Sequence, residues 1–141
     1  MILTNGRVVF PEGIRDRVQV SVADGKIAER AAAADDEVID LAGNYLAPGF
    51  IDLHIHGALG RDTMEGTADA FRTICDYHAS GGTTSLLLTT ATAPLPQITD
   101  VLRAARASLA GIPAFAGVHV EGPFISRQRP GAQRKEFICD P

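Results

Sequence analysis

The chain has 141 residues, of which 45% are hydrophobic and 21% are charged, a composition typical of a globular protein and not of a disordered or fibrous one. Thirteen basic and seventeen acidic residues give a net charge of −4, which argues against nucleic acid as a partner. No apolar run has the length of a membrane span, the N-terminus lacks the pattern of a secretory signal, and two isolated cysteines are typical of free thiols in the cytoplasm.

The first 47 residues contain short alternating apolar segments that predict β-strands. Asn5-Gly6 is a dipeptide typical of a hairpin turn, and Asp24-Gly25 is a second one. Residues 31–36 have little pattern and predict a surface connection. Together these signals predict a small β-meander that is too short to bury much apolar surface by itself.

After Pro48-Gly49 the pattern changes to strands that alternate with helices. The predicted order is a strand over 50–56, a helix over 67–80, a strand over 83–90, a helix over 96–110 and a strand over 115–121. Thr67 can cap the first helix, and Gly81-Gly82 ends it. This alternation is typical of a parallel sheet or an α/β barrel.

Polar side chains are predicted at the carboxyl ends of two of these strands. Because alternate residues of a strand share a face, Asp52, His54 and His56 should point the same way. Imidazole nitrogens are good ligands for zinc and iron, and chance histidines at a polar strand end are the alternative. On the third strand the same alternation puts His119 and Glu121 on one face. Glu121 can bind or bridge a metal there, or it can cap a helix or form a salt bridge with Arg127 or Arg129. His119 could support the metal ligands or line a substrate pocket. A packed, hydrogen-bonded position in the core is an equally good interpretation of this residue.

Three segments carry a resemblance to a known family. The segment 48-PGFIDLHIHG-57 resembles the first barrel strand of the amidohydrolase superfamily. The segment 119-HVEGPFISRQRPGAQ-133 is similar to the HLEGPF region of N-acetylglucosamine-6-phosphate deacetylases, and 80-SGGTTSLLLTTAT-92 resembles their second strand, with Leu88 where a proline is common. The resemblance covers the whole chain.

The resemblance implies an α/β fold in which residues 48–141 form the first three strands of a partial TIM-like (β/α)8 barrel. Residues 1–47 would form the N-terminal part of a small β-sandwich domain that precedes it. A full barrel takes about 250 residues, so the chain is expected to be incomplete, as a truncated product, a partial sequence or a proteolytic fragment.

The resemblance also assigns roles to single residues. Glu121 matches the metal-binding glutamate, and His54 and His56 match the two histidines of a first metal position, which implies one or two divalent ions of zinc, iron or manganese. Ala132 and Gln133 match the element that touches the amino sugar. Gln133 stands where the family often has histidine, so it can exchange hydrogen bonds there but cannot become charged.

The activity implied is metal-dependent hydrolysis of the N-acetyl group of N-acetylglucosamine 6-phosphate, giving glucosamine 6-phosphate and acetate. The family's catalytic aspartate lies on the eighth strand, beyond Pro141, so this chain is expected to contain no catalytic residue and to be inactive alone. Family members commonly form homodimers when full length. Two alternatives remain open: another amidohydrolase, such as an N-acetylgalactosamine-6-phosphate deacetylase, and a non-catalytic truncated protein.

Overall fold

The computed structural model describes residues 1–29 and 32–141. They form two compact units, Met1–Pro48 and Gly49–Pro141. The surface connection predicted over 31–36 is therefore described from residue 32 onward, and Ala31 lies outside the described residues.

The N-terminal unit is built on one mixed β-sheet. Its strands are β1 (Ile2–Phe10), β2 (Gly13–Ala23), β3 (Lys26–Ala28), β4 (Val38–Asp40) and β5 (Tyr45–Leu46). The sheet order is β3-β2-β1-β4, and β5 also pairs with β1. Strands β1, β2 and β3 pair antiparallel in sequence, as a meander would, but β4 and β5 pair parallel to β1. The predicted meander is therefore correct for the first three strands only.

The turn predicted at Asn5-Gly6 is wrong. Both residues lie inside β1, where the register with β2 shifts on each side of Gly6, and the hairpin turn lies instead at 11–12. Asn5 has a φ of 54°, and a Cβ on Gly6 would lie 2.4 Å from Leu41 Cδ1. A bulge and a hairpin turn both favour residues that tolerate positive φ or close approach, so the dipeptide alone does not distinguish them.

The C-terminal unit has the predicted alternation of strands and helices. Its elements are β6 (Phe50–Ile55), the hairpin β7 (Gly57–Ala58) and β8 (Arg61–Asp62), α1 (Ala68–Ser80), β9 (Thr83–Thr89), α2 (Leu95–Ser108) and β10 (Phe115–His119). Short 3-10 turns lie at Thr63–Glu65, Leu109–Gly111 and Lys135–Phe137. Strands β6, β9 and β10 form a parallel sheet with β9 in the centre. The third strand ends at His119, two residues earlier than predicted.

Helix α1 begins and ends where its sequence signals place it. Thr67 Oγ1 accepts a hydrogen bond from Ala70 N at 3.2 Å, which satisfies one of the free amides of the first turn. Gly81 follows the last helical residue. Gly82 has a φ of 95°, which favours glycine, and the chain turns there into β9.

Both helices contribute to one apolar core with the parallel sheet. The buried members of that core are Phe71, Ile74, Cys75, Leu86, Leu88, Val101, Ala105, Ile112 and Phe115. Strand β6 also carries apolar residues that this core does not cover, since Ile51 is 72% exposed and Leu53 is 62% exposed. In the described ranges, no helix is both long enough and apolar enough to cross a membrane.

We expect Thr67→Ala to lower the free energy of unfolding of this unit by about 1 kcal/mol, because the Ala70 amide loses its cap. Chemical denaturation measures the change. Thr99→Ala is the matched control, since Thr99 lies inside α2 and its hydroxyl bonds only to Leu95 O of the preceding turn. An equal loss in both variants would contradict the capping role.

We expect the two cysteines to differ in reactivity toward alkylating reagents. Burial raises the pKa of the Cys75 thiol to about 11, and the side chain is 0% exposed, so little thiolate forms and reagent cannot reach it. Cys139 is half-buried. Mass spectrometry after brief iodoacetamide treatment should find Cys139 modified and Cys75 modified only in denaturant. Equal labelling of both in the native protein would contradict this core.

Candidate metal centre

Three side chains at the carboxyl end of the parallel sheet converge on one point. His54 Nε2 and His56 Nε2 are 3.2 Å apart, and Glu121 Oε2 lies 3.4 Å from the first and 3.1 Å from the second. The three residues form a group whose ligand atoms can hold one metal ion. The structure therefore brings together His54 at the end of β6, His56 just after it and the glutamate that follows β10.

The two histidines stand at an irregularity at the end of β6. The register between β6 and β9 shifts between Asp52 and Ile55, so strict alternation does not run through this segment. Asp52 Oδ1 accepts a hydrogen bond from His54 N at 3.0 Å, which ties that carboxylate to its own strand. Asp52 is accordingly not a member of the three-residue group, although simple alternation placed it on the same face.

His56 is held in one orientation by the neighbouring strand. Its Nδ1 lies 3.1 Å from Thr89 O, and a carbonyl oxygen can only accept, so Nδ1 carries the hydrogen. In the neutral ring, Nε2 is then a lone-pair donor directed at the group. A metal-ligating histidine commonly donates its other N–H to a carbonyl in this way, because the bond fixes both tautomer and ring orientation.

Glu121 is held by the same strand from the other side. Its backbone N donates to Thr90 Oγ1 at 3.2 Å. The next residue, Gly122, passes so close to Thr92 that a Cβ would lie 2.0 Å from Thr92 Oγ1. The ion pair predicted as the alternative, between Glu121 and Arg127 or Arg129, is not found among the described residues. The Arg127 guanidinium donates instead to Ile138 O, and its Nε lies 3.8 Å from Asp140 Oδ1.

The electrostatics of the group favour a cation. Glu121 Oε2 is buried, and it makes no hydrogen bond of acceptable geometry within the described residues. It nevertheless lies 3.1 Å from His56 Nε2, whose lone pair faces the same point. Ligand atoms at about 2.0–2.2 Å from a tetrahedral metal lie about 3.3–3.6 Å apart, close to the separations observed here. The donor set and its spacing therefore fit a divalent metal ion.

The other predicted site residues lie around this group. The ring of His119 contacts His54 edge to face, with centroids 5.0 Å apart, and its side chain is exposed, so the alternative of a packed core histidine is not what the structure shows. Ala132 is exposed on the loop after Glu121. Gln133 is partly buried, and its Oε1 accepts a hydrogen bond from Thr92 N at 2.8 Å. Neither loop residue belongs to the group of three.

The sequence analysis missed Thr89 and Thr90, which bond to the His56 ring and to the backbone of Glu121. Both are 0% exposed at the end of β9. Their sequence signal is a pair of hydroxyl residues at the end of an apolar strand. That signal is weak, because threonine is common in strands whether or not it has a polar task.

The chain matches the amidohydrolase family over residues 45–139. It is 35% identical to an N-acetylglucosamine-6-phosphate deacetylase of Lysinibacillus sphaericus over 147 aligned positions, which cover 100% of this chain and 38% of that protein. It is 34% identical to an N-acetylgalactosamine-6-phosphate deacetylase of Escherichia coli O157:H7 over 97% of this chain and 37% of that protein.

A solved structure shows the same fold. The N-acetylglucosamine-6-phosphate deacetylase of Pasteurella multocida superposes with a TM-score of 0.86 at 28% identity, over 98% of this chain and 38% of that one. The chain thus spans somewhat more than a third of the length of these relatives. Since the family match extends over most of the sequence and includes all three converging side chains, the chain belongs to the amidohydrolase family.

Proposed function

We propose that residues 48–141 contain the first three strands of a TIM-like (β/α)8 barrel, and that residues 1–47 belong to the N-terminal part of a small β-sandwich domain. Strands β6, β9 and β10 are neighbours in chain order, with α1 and α2 as the connections. Their ligand residues all lie at the carboxyl ends, where barrel enzymes carry their active sites. The exposed Ile51 and Leu53 of β6 are consistent with a face that further strands or core residues cover.

We further propose that this segment contributes to an N-acetylglucosamine-6-phosphate deacetylase. The observation that carries the proposal is the convergence of His54, His56 and Glu121 within 3.1–3.4 Å at the end of the sheet. Relatives with that activity in their names support the substrate. We assign the activity to the complete site, to which this segment contributes metal-binding residues. The family resemblance implies that an aspartate of a later strand acts as the acid–base group.

His54, His56 and Glu121 would hold one or two divalent ions, with zinc, iron or manganese as candidates for these nitrogen and oxygen donors. Such an ion supplies Lewis-acid chemistry, in that it makes water a better nucleophile at neutral pH and polarises the amide carbonyl. The task of the protein is to hold these donors in place. Thr89 O keeps His56 Nε2 free of a hydrogen, and the Glu121 carboxylate offsets positive charge at the centre.

The amino sugar would contact the loop that follows Glu121, through Ala132 and Gln133. Because Gln133 Oε1 accepts a hydrogen bond from Thr92 N, the Nε2 hydrogens of the side chain are available to donate to a substrate. The amide nitrogen would then face an acceptor oxygen of the sugar. Two free cysteines fit a reducing cytoplasm, and a homodimer is proposed on the family resemblance alone.

A second candidate is the galactosamine isomer of the substrate. The observation in its favour is the Escherichia coli relative, which is named for that substrate and covers nearly all of this chain at 34% identity. Because the two sugars differ in the orientation of one hydroxyl group, a site with few contacts to that hydroxyl would accept both.

We expect Glu121→Gln in the complete gene product to lose metal and to lower kcat/KM by more than about a hundredfold. Changes to residues that only orient ligands already cost about 10- to 100-fold, and this change removes the charge of a ligand itself. Elemental analysis after dialysis and an acetate-release assay measure the two effects. Glu12→Gln is the control, since Glu12 is an exposed glutamate of the N-terminal unit. Full metal content in the Glu121 variant would refute the proposed centre.

We expect the complete gene product to release acetate faster from N-acetylglucosamine 6-phosphate than from its galactosamine isomer, because the relatives named for the first substrate reach higher identity. Comparison of kcat/KM for the two sugars, with zinc, iron or manganese supplied, decides the matter. A reversed preference would establish the second candidate. Release of acetate from neither sugar by a metal-loaded protein would favour a non-catalytic role.

A further inference from the structure

Two consecutive residues, Thr89 at the end of β9 and Thr90 directly after it, form hydrogen bonds to the two chain segments that carry the candidate metal-binding side chains. Thr89 faces β6: its Oγ1 accepts from Ile55 N at 3.0 Å, and its carbonyl oxygen lies 3.1 Å from His56 Nδ1. Thr90 Oγ1 accepts a hydrogen bond from Glu121 N, just beyond the end of β10. Both side chains are completely buried, so neither hydroxyl group is used for contact with solvent.

Thr90 makes two hydrogen bonds to the chain around the ligand residue. Its backbone N donates to His119 O at 3.0 Å, which is the last regular contact of β10. Its Oγ1 then accepts from Glu121 N at 3.2 Å. The two bonds span Val120, whose side chain is 45% exposed and gives the turn little packing of its own. Within the part of the chain that the structure describes, Thr90 thus ties the backbone of Glu121 to the end of β9.

We propose that Thr90 is a positioning residue of the metal centre: its hydroxyl group sets the place of the Glu121 carboxylate relative to the histidines that Thr89 holds. The inference rests on the proposed function, since it concerns how the ligands of that centre are held. A carboxylate displaced by a fraction of an ångström no longer shares the 3.1 Å and 3.4 Å separations with the two Nε2 atoms. Buried groups that orient metal ligands commonly contribute to affinity in this way.

Two variants separate the hydroxyl group from the volume of the side chain. Thr90→Val keeps the shape but cannot accept from Glu121 N, whereas Thr90→Ser keeps the acceptor and loses a buried methyl group. Thr73→Val is the control. Thr73 lies in α1, and its hydroxyl group donates to Asp69 O of the preceding turn.

The measurement is calorimetric titration of the metal-free complete gene product with Zn²⁺, together with the thermal stability of each metal-free variant. We expect Thr90→Val to bind Zn²⁺ about 10- to 100-fold more weakly than the wild-type protein. Thr90→Ser and Thr73→Val should bind it as the wild type does. A purely structural role would instead weaken binding in the Ser and Val variants in proportion to their loss of stability.

Three results would contradict either the proposed metal centre or the positioning role of Thr90, and they can be told apart. Failure of the wild-type protein to bind Zn²⁺, iron or manganese overturns the proposed centre itself. Wild-type affinity in Thr90→Val, with a functional centre, overturns the positioning role alone. Equal weakening in Thr90→Val and Thr90→Ser also overturns it, because the hydroxyl group would then not be the cause.

Discussion

Hydrogen bonds from the carboxyl end of β9 hold both arms of the candidate centre. One arm is the histidine pair at the end of β6, and the other is Glu121 beyond the end of β10. Parallel strands place their carboxyl ends along one edge, but that alone fixes positions only to within the spacing of strands, about 4.8 Å. Side-chain atoms 3.1–3.4 Å apart need further constraints. The contacts of Thr89 and Thr90 restrain the His56 ring and the backbone of Glu121.

The same arrangement has an electrostatic cost. With His56 Nδ1 bonded to a carbonyl, Nε2 of the neutral ring and the Glu121 carboxylate both present lone pairs to one point. A cation between these atoms would remove the repulsion, and the three donors could hold one divalent ion together. Binding of such an ion would therefore stabilise the fold around β9, because the free energy of binding acts only on the folded arrangement.

The sequence predicted those parts of the molecule that depend on local chemistry. Helix α1 follows from a capping threonine at 67, an apolar stripe and a glycine after the last turn, and all of these act within the helix itself. The hairpin turn predicted from Asn5-Gly6 was wrong because a residue with positive φ suits a bulge as well as a turn. Which of the two forms depends on how β1 pairs with β2. The convergence of His54, His56 and Glu121 could be expected from their strand positions and from the resemblance to a family. Thr90 could not be found that way, because its role depends on a contact 31 positions along the chain.

The loop after Glu121 shows how a departure from the family pattern keeps a definite chemistry. Thr92 N can only donate, so the bond at 2.8 Å fixes the Gln133 amide with its oxygen inward. A histidine at this position could accept the same bond and still gain a proton on the other ring nitrogen, whereas glutamine stays neutral at any pH of interest. The donor that Gln133 offers to a ligand is therefore constant in charge and fixed in direction. Any pH dependence of binding in this part of the site must therefore come from groups other than Gln133.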